Sequence, residues 1–124
     1  MKTKRFNEIE IAEGEARLAR ILNVLKKEGL TGRPPFGARL DKIEQDIAPQ
    51  NFRAFFVTKH DGGWVADLLL HSPLQRPLAP LGSLDVVGTP DALPYSTHDE
   101  AFVAGVEMIA LLLAYAQSPS TLRI

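Results

Sequence analysis

The three histidines of this chain are the first candidates for acid–base or metal chemistry. His60, His71 and His98 fall in different predicted elements, and none has the close spacing to another ligand that a metal site requires. Asp67 and His71 would share one face of a strand, but four residues separate their backbones by roughly 13 Å. Turn and cap chemistry explains the other two histidines. We therefore expect no metal site and no cofactor.

Nucleophilic catalysis has two serine candidates. Ser83 lies in Gly-Ser-Leu-Asp, and Ser96 precedes a threonine; neither has glycine on both sides between a strand and a helix, as a nucleophile elbow requires. The chain contains no cysteine, which excludes disulfides, thiolate zinc sites and a cysteine nucleophile. We predict no catalytic residue and favour a non-enzymatic function.

Anion binding is the one ligand chemistry with a local pattern. Segment 29–39 contains three glycines for close backbone approach, with Arg33 and Arg39 beside the start of a predicted helix, where anions are favoured. It lacks the P-loop ending and the dinucleotide fingerprint, so a connector between helices is the competing interpretation. Arg33, Arg39, Asp67 and His71 are our candidate ligand-binding residues.

Composition is ordinary for a globular protein, with 45% hydrophobic and 23% charged residues, but the charge is uneven. Residues 1–59 have a charge balance of +4 and residues 60–124 a balance of −5. This asymmetry fits a basic face for an acidic partner and an acidic face for a basic partner, or simply the solvation of an exposed N-terminal helix. A pI near 6.3 and the few cations of the predicted hairpin argue against nucleic acid.

Two helices are predicted at the N-terminus. The first spans 7–28, where Asn7 can cap the helix, Glu10 can complete a capping box and Gly29 can stop it. Its apolar residues recur at helical spacing. A second, shorter helix is predicted over 38–47.

A β-hairpin is predicted in the middle of the chain. Segments 52–59 and 64–71 are rich in aromatic, β-branched and leucine residues. Asp61-Gly62 between them is a strong turn signal, because a type I′ turn needs positive φ at both central residues. This turn would place Lys59 opposite Trp64.

Both faces of this hairpin contain apolar side chains. The predicted core face carries six residues: Phe55, Val57, Trp64, Ala66, Leu68 and Leu70. The other face is not cleanly polar, which predicts a second layer or a subunit contact. The proline-rich loop 72–83 adds further leucines. We predict six apolar residues of this second face and loop as contacts with another chain: Phe52, Phe56, Leu69, Leu74, Leu78 and Leu81.

The last predicted helix is apolar almost all round. After a short third strand over 84–88, Thr97 and Glu100 form a capping box. Among residues 101–116 only Glu107 is charged. A membrane span needs roughly 20 residues, so we interpret this segment as a buried helix that protein must cover on more than one side.

Hairpin, third strand and Thr97-His-Asp-Glu-Ala at the start of a long helix resemble a layout shared by double-stranded-RNA-binding domains and HicB-type antitoxins. The matching stretches, 52–70 and 96–113, are about a third of the chain. The RNA-binding domains place lysines at this helix start, where this chain has His98 and Asp99. The resemblance therefore implies a sheet–helix layout, and the antitoxin is the functional alternative that it suggests.

Together these patterns predict one α+β domain over residues 1–124, with residues 1–6 and 118–124 frayed. It comprises two N-terminal helices, a three-stranded mostly antiparallel sheet and a long buried C-terminal helix packed on one sheet face. We expect a cytoplasmic, non-enzymatic binding or interaction protein that acts as a homodimer or binds another protein, with neither membrane nor nucleic acid as partner. The alternatives are an antitoxin- or immunity-type inhibitor and a small-ligand or phosphate-binding domain, enzymatic activity included.

Overall fold

The computed structural model of the chain describes residues 6–29, 49–75, 82–89 and 93–117. Of these, residues 115–117 are described by their backbone alone. Within these ranges the elements follow in this order: α1 (Glu8–Lys27), a 3-10 turn (Pro49–Asn51), β1 (Phe52–His60), β2 (Gly63–Leu70), β3 (Val86–Gly88) and α2 (His98–Gln117). The strands form one antiparallel sheet with β2 in the centre. The α+β class is confirmed. The predicted helix over 38–47 and the tail 118–124 lie outside the described residues.

Helix α1 begins where predicted because its first turn caps itself. The Asn7 side chain accepts the backbone N–H of Glu10 at 2.8 Å, and the Glu10 carboxylate accepts the N–H of Asn7 at 3.0 Å. This pair satisfies two N–H groups that the helix cannot bond internally. After the helix, Gly29 has a φ of 80°, a conformation that ends helices and favours glycine.

The capping box gives a first test of the fold. Asn7→Ala should lower the free energy of unfolding by about 1 kcal/mol, because it leaves the Glu10 N–H without its acceptor. Asn23→Ala, at an exposed position inside the same helix, should be neutral or slightly stabilising, since alanine has the higher helix propensity. Urea unfolding of both variants measures the difference. Equal effects would mean that the cap contributes nothing.

The hairpin turn forms at Asp61 and Gly62, as predicted. Both residues have positive φ, 41° and 82°, as a type I′ turn requires. The turn sets the register, which pairs Lys59 with Trp64 and continues without a shift to Ala54. The side chains of the predicted core face therefore lie on one side of the sheet.

Helix α2 packs on this core face, and a glycine allows it to come close. A Cβ atom on Gly105 would lie 2.6 Å from the Ala66 Cβ and 2.6 Å from the Phe55 ring, so a larger residue would push the helix away. The sheet and both helices contribute to one buried cluster: Leu18, Ile21, Phe52, Phe55, Ala66, Leu68, Leu70, Leu74, Val87, Met108, Ile109, Leu112 and Leu113.

Helix α1 packs on the second face of the sheet at β1. Gly14 lies over β1 so closely that a Cβ atom there would be 2.9 Å from the Phe56 ring and 3.0 Å from the Ala54 Cβ. Phe6 stacks on Phe56 with ring centroids 3.6 Å apart, although we expected this residue to be frayed. At β1, the second layer that the sequence predicted is therefore the chain's own first helix.

A bulge in β1 corrects the predicted position of Phe52. Phe52 pairs with Leu70 while Ala54 pairs with Leu69, so Arg53 is an extra residue in β1. Because a one-residue shift moves a side chain to the opposite face, Phe52 joins the core face instead of the second face. Arg53 is turned toward α1, where its Nε lies 3.3 Å from a carboxylate oxygen of Glu15.

The six residues that we predicted as contacts with a second chain differ in their exposure. Three of the six are already buried within the chain, at 6%, 5% and 4% exposure: Phe52, Phe56 and Leu74. Leu69 is half-buried, and Leu78 and Leu81 lie outside the described residues. The homodimer stays a prediction, but it requires a surface other than these three side chains.

The apolar helix α2 is covered on one side and exposed on another. On the side that faces the sheet, Gly105, Ile109 and Leu112 of α2 are buried. On the opposite side, Val103 and Glu107 are exposed. No helix within the described residues combines the length and the apolar character that a membrane crossing demands.

Candidate interaction surface

The predicted ligand-binding residues are not brought together in the part of the chain that the structure describes. Asp67 on β2 is 3% exposed, and its carboxylate lies against the backbone of Gly88 on β3. His71 lies beyond the end of β2 and is exposed, so a ligand beside it would not reach a buried carboxylate. Arg33 and Arg39 lie outside the described residues, and ligand binding by them stays a prediction.

Among the described residues, the geometry supports neither a metal site nor an activated serine nucleophile. Within them, no three His, Asp or Glu side chains stand close enough to hold a metal ion. The Ser83 hydroxyl donates to the Asp85 carboxylate at 3.4 Å within a bend of the chain. The Thr97 hydroxyl accepts the N–H of Glu100 at 3.1 Å and caps α2, as predicted. These are the ordinary contacts of a turn and a helix start.

An open groove runs along the beginning of α2. Its volume is about 610 Å³, and it is lined by eight residues from the segment before α2 and from the first turns of the helix: Pro94, Tyr95, Ser96, Asp99, Glu100, Val103, Ala104 and Glu107. It is broad and open to solvent on one side. We call it the α2 groove.

The sheet holds one wall of the α2 groove in place. Tyr95 exchanges two backbone hydrogen bonds with Trp64, at 2.8 and 2.9 Å, which ties the segment before α2 to the first residues of β2. Gly63 permits this approach, because a Cβ atom there would lie 2.5 Å from the Pro94 side chain. The wall and the helix therefore belong to the same packed unit.

The charged groups among the described residues that line the α2 groove all have the same sign. Asp99, Glu100 and Glu107 are exposed carboxylates, and none of the eight lining residues is Lys, Arg or His. Asp99 and Glu100 lie in the first turn of α2, where the helix dipole favours negative charge. Between the carboxylates Val103 is 55% exposed. The groove is thus an acidic surface with an apolar centre.

Aromatic rings connect the start of α2 to the core. The His98 ring meets Trp64 edge-on at 5.3 Å and lies parallel to Phe102 at 6.5 Å. Phe102 in turn meets the buried Phe55 ring edge-on at 5.7 Å. These contacts give Trp64 a packing role and fix the position of the helix start beside the groove.

Sequence reasoning missed this surface because it expected α2 to be covered on more than one side and explained its acidic start by capping. The signal was present in the spacing. Glu100, Val103 and Glu107 recur at intervals of three and four residues, which places them on one helix face. Which face stays exposed depends on Gly105, since the glycine determines the side that meets the sheet.

Comparison of the chain with known protein families, curated proteins and solved structures finds no match.

Proposed function

We propose that this protein is a non-enzymatic interaction module that binds a basic segment of another protein in the α2 groove. The observation that carries the proposal is the exposed Val103 between the carboxylates of Glu100 and Glu107. A single exposed apolar side chain is ordinary on a protein surface, but this one lies in a groove with charges of one sign. A partner with cations on either side of an apolar residue would match both features.

The spacing along α2 defines the partner further. Glu100 and Glu107 are seven residues apart, which is two helical turns or roughly 10 Å along the axis. An amphipathic helix with Lys or Arg residues two turns apart and an apolar residue between them would place each group opposite its counterpart. The partner is therefore a basic amphipathic segment.

The form of the α2 groove favours a protein segment over a small molecule. Small-ligand sites enclose most of the ligand and converge a few polar groups on it, whereas this groove is open and its carboxylates line one helix face. It also disfavours a second copy as the occupant, because two grooves in contact would bring six carboxylates together.

A basic protein partner is compatible with the antitoxin- or immunity-type inhibitor suggested by the sequence. Such inhibitors would need an acidic surface where the partner is basic, and the α2 groove supplies one. The cysteine-free sequence is compatible with the cytoplasmic location in which we place this interaction.

The test uses a labelled helical peptide with lysines two turns apart and leucine between them. Glu100→Lys/Glu107→Lys should weaken its binding about tenfold or more, because both counter-charges are reversed. Val103→Ala should weaken it by a smaller factor through lost apolar contact. Fluorescence anisotropy at physiological salt measures both effects, and salt at this level suppresses distant charge effects.

The matched control is Glu13→Lys/Glu28→Lys, which reverses two exposed carboxylates, one inside α1 and one at its C-cap. Each replacement adds two charges, so both double variants change the net charge from −1 to +3. If the α1 variant loses as much affinity as the groove variant, binding is non-specific and the groove is not the site. Equal binding of a peptide with glutamates in place of lysines would also contradict the proposal.

A further inference from the structure

Strand β1 is an edge of the described sheet, and near the hairpin no other described strand pairs with its outer side. The two-residue turn makes His60 and Gly63 a hydrogen-bonded pair, so every second residue back from His60 bonds to β2. Val57 and Lys59 fall between these positions. Their N–H and C=O groups therefore point away from β2.

The bonds of β2 show the same alternation. Trp64 and Ala66, which stand opposite Lys59 and Val57, use their backbone groups on the β3 side. Trp64 exchanges its two hydrogen bonds with Tyr95, and the Ala66 carbonyl accepts a backbone N–H from beyond β3. The backbone groups of Trp64 and Ala66 therefore form no hydrogen bonds with Val57 or Lys59.

Helix α1 protects the other half of the same edge. The Arg17 guanidinium donates to the Phe55 carbonyl at 3.1 Å, which occupies the preceding outward-facing position of β1. The Gly14 contact lies beside Ala54 and Phe56. Among the described residues, the outward backbone groups of Val57 and Lys59 have no hydrogen-bond partner. Unpaired edge groups of this kind are templates for pairing with another strand.

We propose that the open edge from Val57 to Lys59 pairs with the same segment of a second copy and continues the sheet across a two-fold axis at Thr58. Each Val57 would exchange two hydrogen bonds with the partner's Lys59, giving four bonds in all. This inference rests on the homodimer predicted from the sequence. It is independent of the α2 groove, which lies on another side of the molecule's sheet.

A second copy is the occupant that this short edge fits best. Because the Arg17 guanidinium occupies the Phe55 carbonyl, only about three residues of β1 can pair, and a longer external strand would have to displace this side chain. The two-fold register places Thr58 opposite itself, a favourable cross-strand pair. It also sets each Lys59 opposite a valine, so that the like charges are not directly opposite. A contact this small predicts a weak dimer, with a dissociation constant on the order of 10–100 μM.

The test is Lys59→Pro, measured by sedimentation equilibrium over a concentration series that spans this range. Proline removes the outward N–H but no bond to β2, because Lys59 makes none. The dissociation constant should rise about tenfold or more, since two of four hydrogen bonds are lost by symmetry. Lys59→Ala removes the charged side chain and keeps the N–H, so it should leave the dimer intact.

A second measurement does not depend on the variant's folding. In the unaltered chain, hydrogen exchange at the Val57 and Lys59 amides should slow as concentration rises, while the amide of exposed Asn23 in α1 should not change. A folded Lys59→Pro that still dimerises would overturn the edge pairing and leave the homodimer standing. A strict monomer throughout the series would overturn both, and would mean that Lys59 and α1 protect the edge from pairing.

Discussion

Replacing Gly105 by leucine should destabilise the protein by about 3 kcal/mol, at the upper end of the cost of overpacking a core. The first atom of any side chain at this position would lie 2.6 Å from Ala66 and from the Phe55 ring. Helix propensity alone predicts the opposite result, because glycine inside a helix costs about 1 kcal/mol relative to alanine. A decrease in the free energy of unfolding would therefore indicate that packing dominates, and an increase would indicate that helix propensity dominates.

The matched control is Ala104→Leu, one residue earlier in the same helix and half-buried on the groove side. It adds the same side chain and should change stability by less than about 0.5 kcal/mol. Thermal and urea unfolding of the two variants give the comparison. If Gly105→Leu were as stable as Ala104→Leu, the close approach of α2 to the sheet would be wrong, and the α2 groove would lose its basis.

Replacing Phe55 by alanine should lower the free energy of unfolding by about 3–5 kcal/mol, which is the usual cost of deleting a buried aromatic side chain. Phe55 has no exposed surface, touches the Gly105 position and packs edge-on against Phe102. It stands between the sheet and α2, so its loss leaves a cavity that neither rigid element can close easily. A loss of this size is a large part of the stability of an ordinary domain.

Leu93→Ala is the control for Phe55→Ala, because it also removes apolar atoms but from a side chain that is 74% exposed. Its effect should remain within about 0.5 kcal/mol. Urea unfolding with a common slope for both variants would allow the midpoints to be compared directly. A Phe55→Ala cost below about 1 kcal/mol would mean that the predicted core face is not the core.

Local features were predictable because neighbouring residues decide them. Asn7 and Glu10 are three positions apart, so their capping box needs no distant contact. Asp61-Gly62 determines its turn, and the turn determines the register of the hairpin. Thr97 caps α2 for the same reason.

The sequence could not predict what covers the second face of the sheet, because the covering residues are distant in the chain. Phe56 looks like an interface residue from its position in β1, but Gly14 and Phe6 cover it. The bulge at Arg53 likewise reverses the face of Phe52, and no local pattern signals one extra residue in a strand. Some of the apolar side chains that the sequence assigned to contacts with another chain are therefore buried by contacts within this chain.

The same dependence explains why the candidate surfaces were missed. Periodicity showed that α2 is apolar on most sides, but it did not show that Gly105 faces the sheet and Val103 faces solvent. For β1, the sequence predicted the turn but did not show which part of the strand edge α1 would occupy. That depends on Arg17, which donates to the Phe55 carbonyl from a distant element.

The sequence by itself determined the caps, the hairpin turn and its register, the apolar character of α2 and the α+β class, because each follows from spacing and backbone conformation over a few residues. Only the tertiary structure decided which faces are covered. That choice depends on close approaches at Gly14 and Gly105 between elements far apart in the chain. The sequence predicted that α2 is covered on more than one side, whereas the tertiary structure gives it one buried face and an exposed acidic groove.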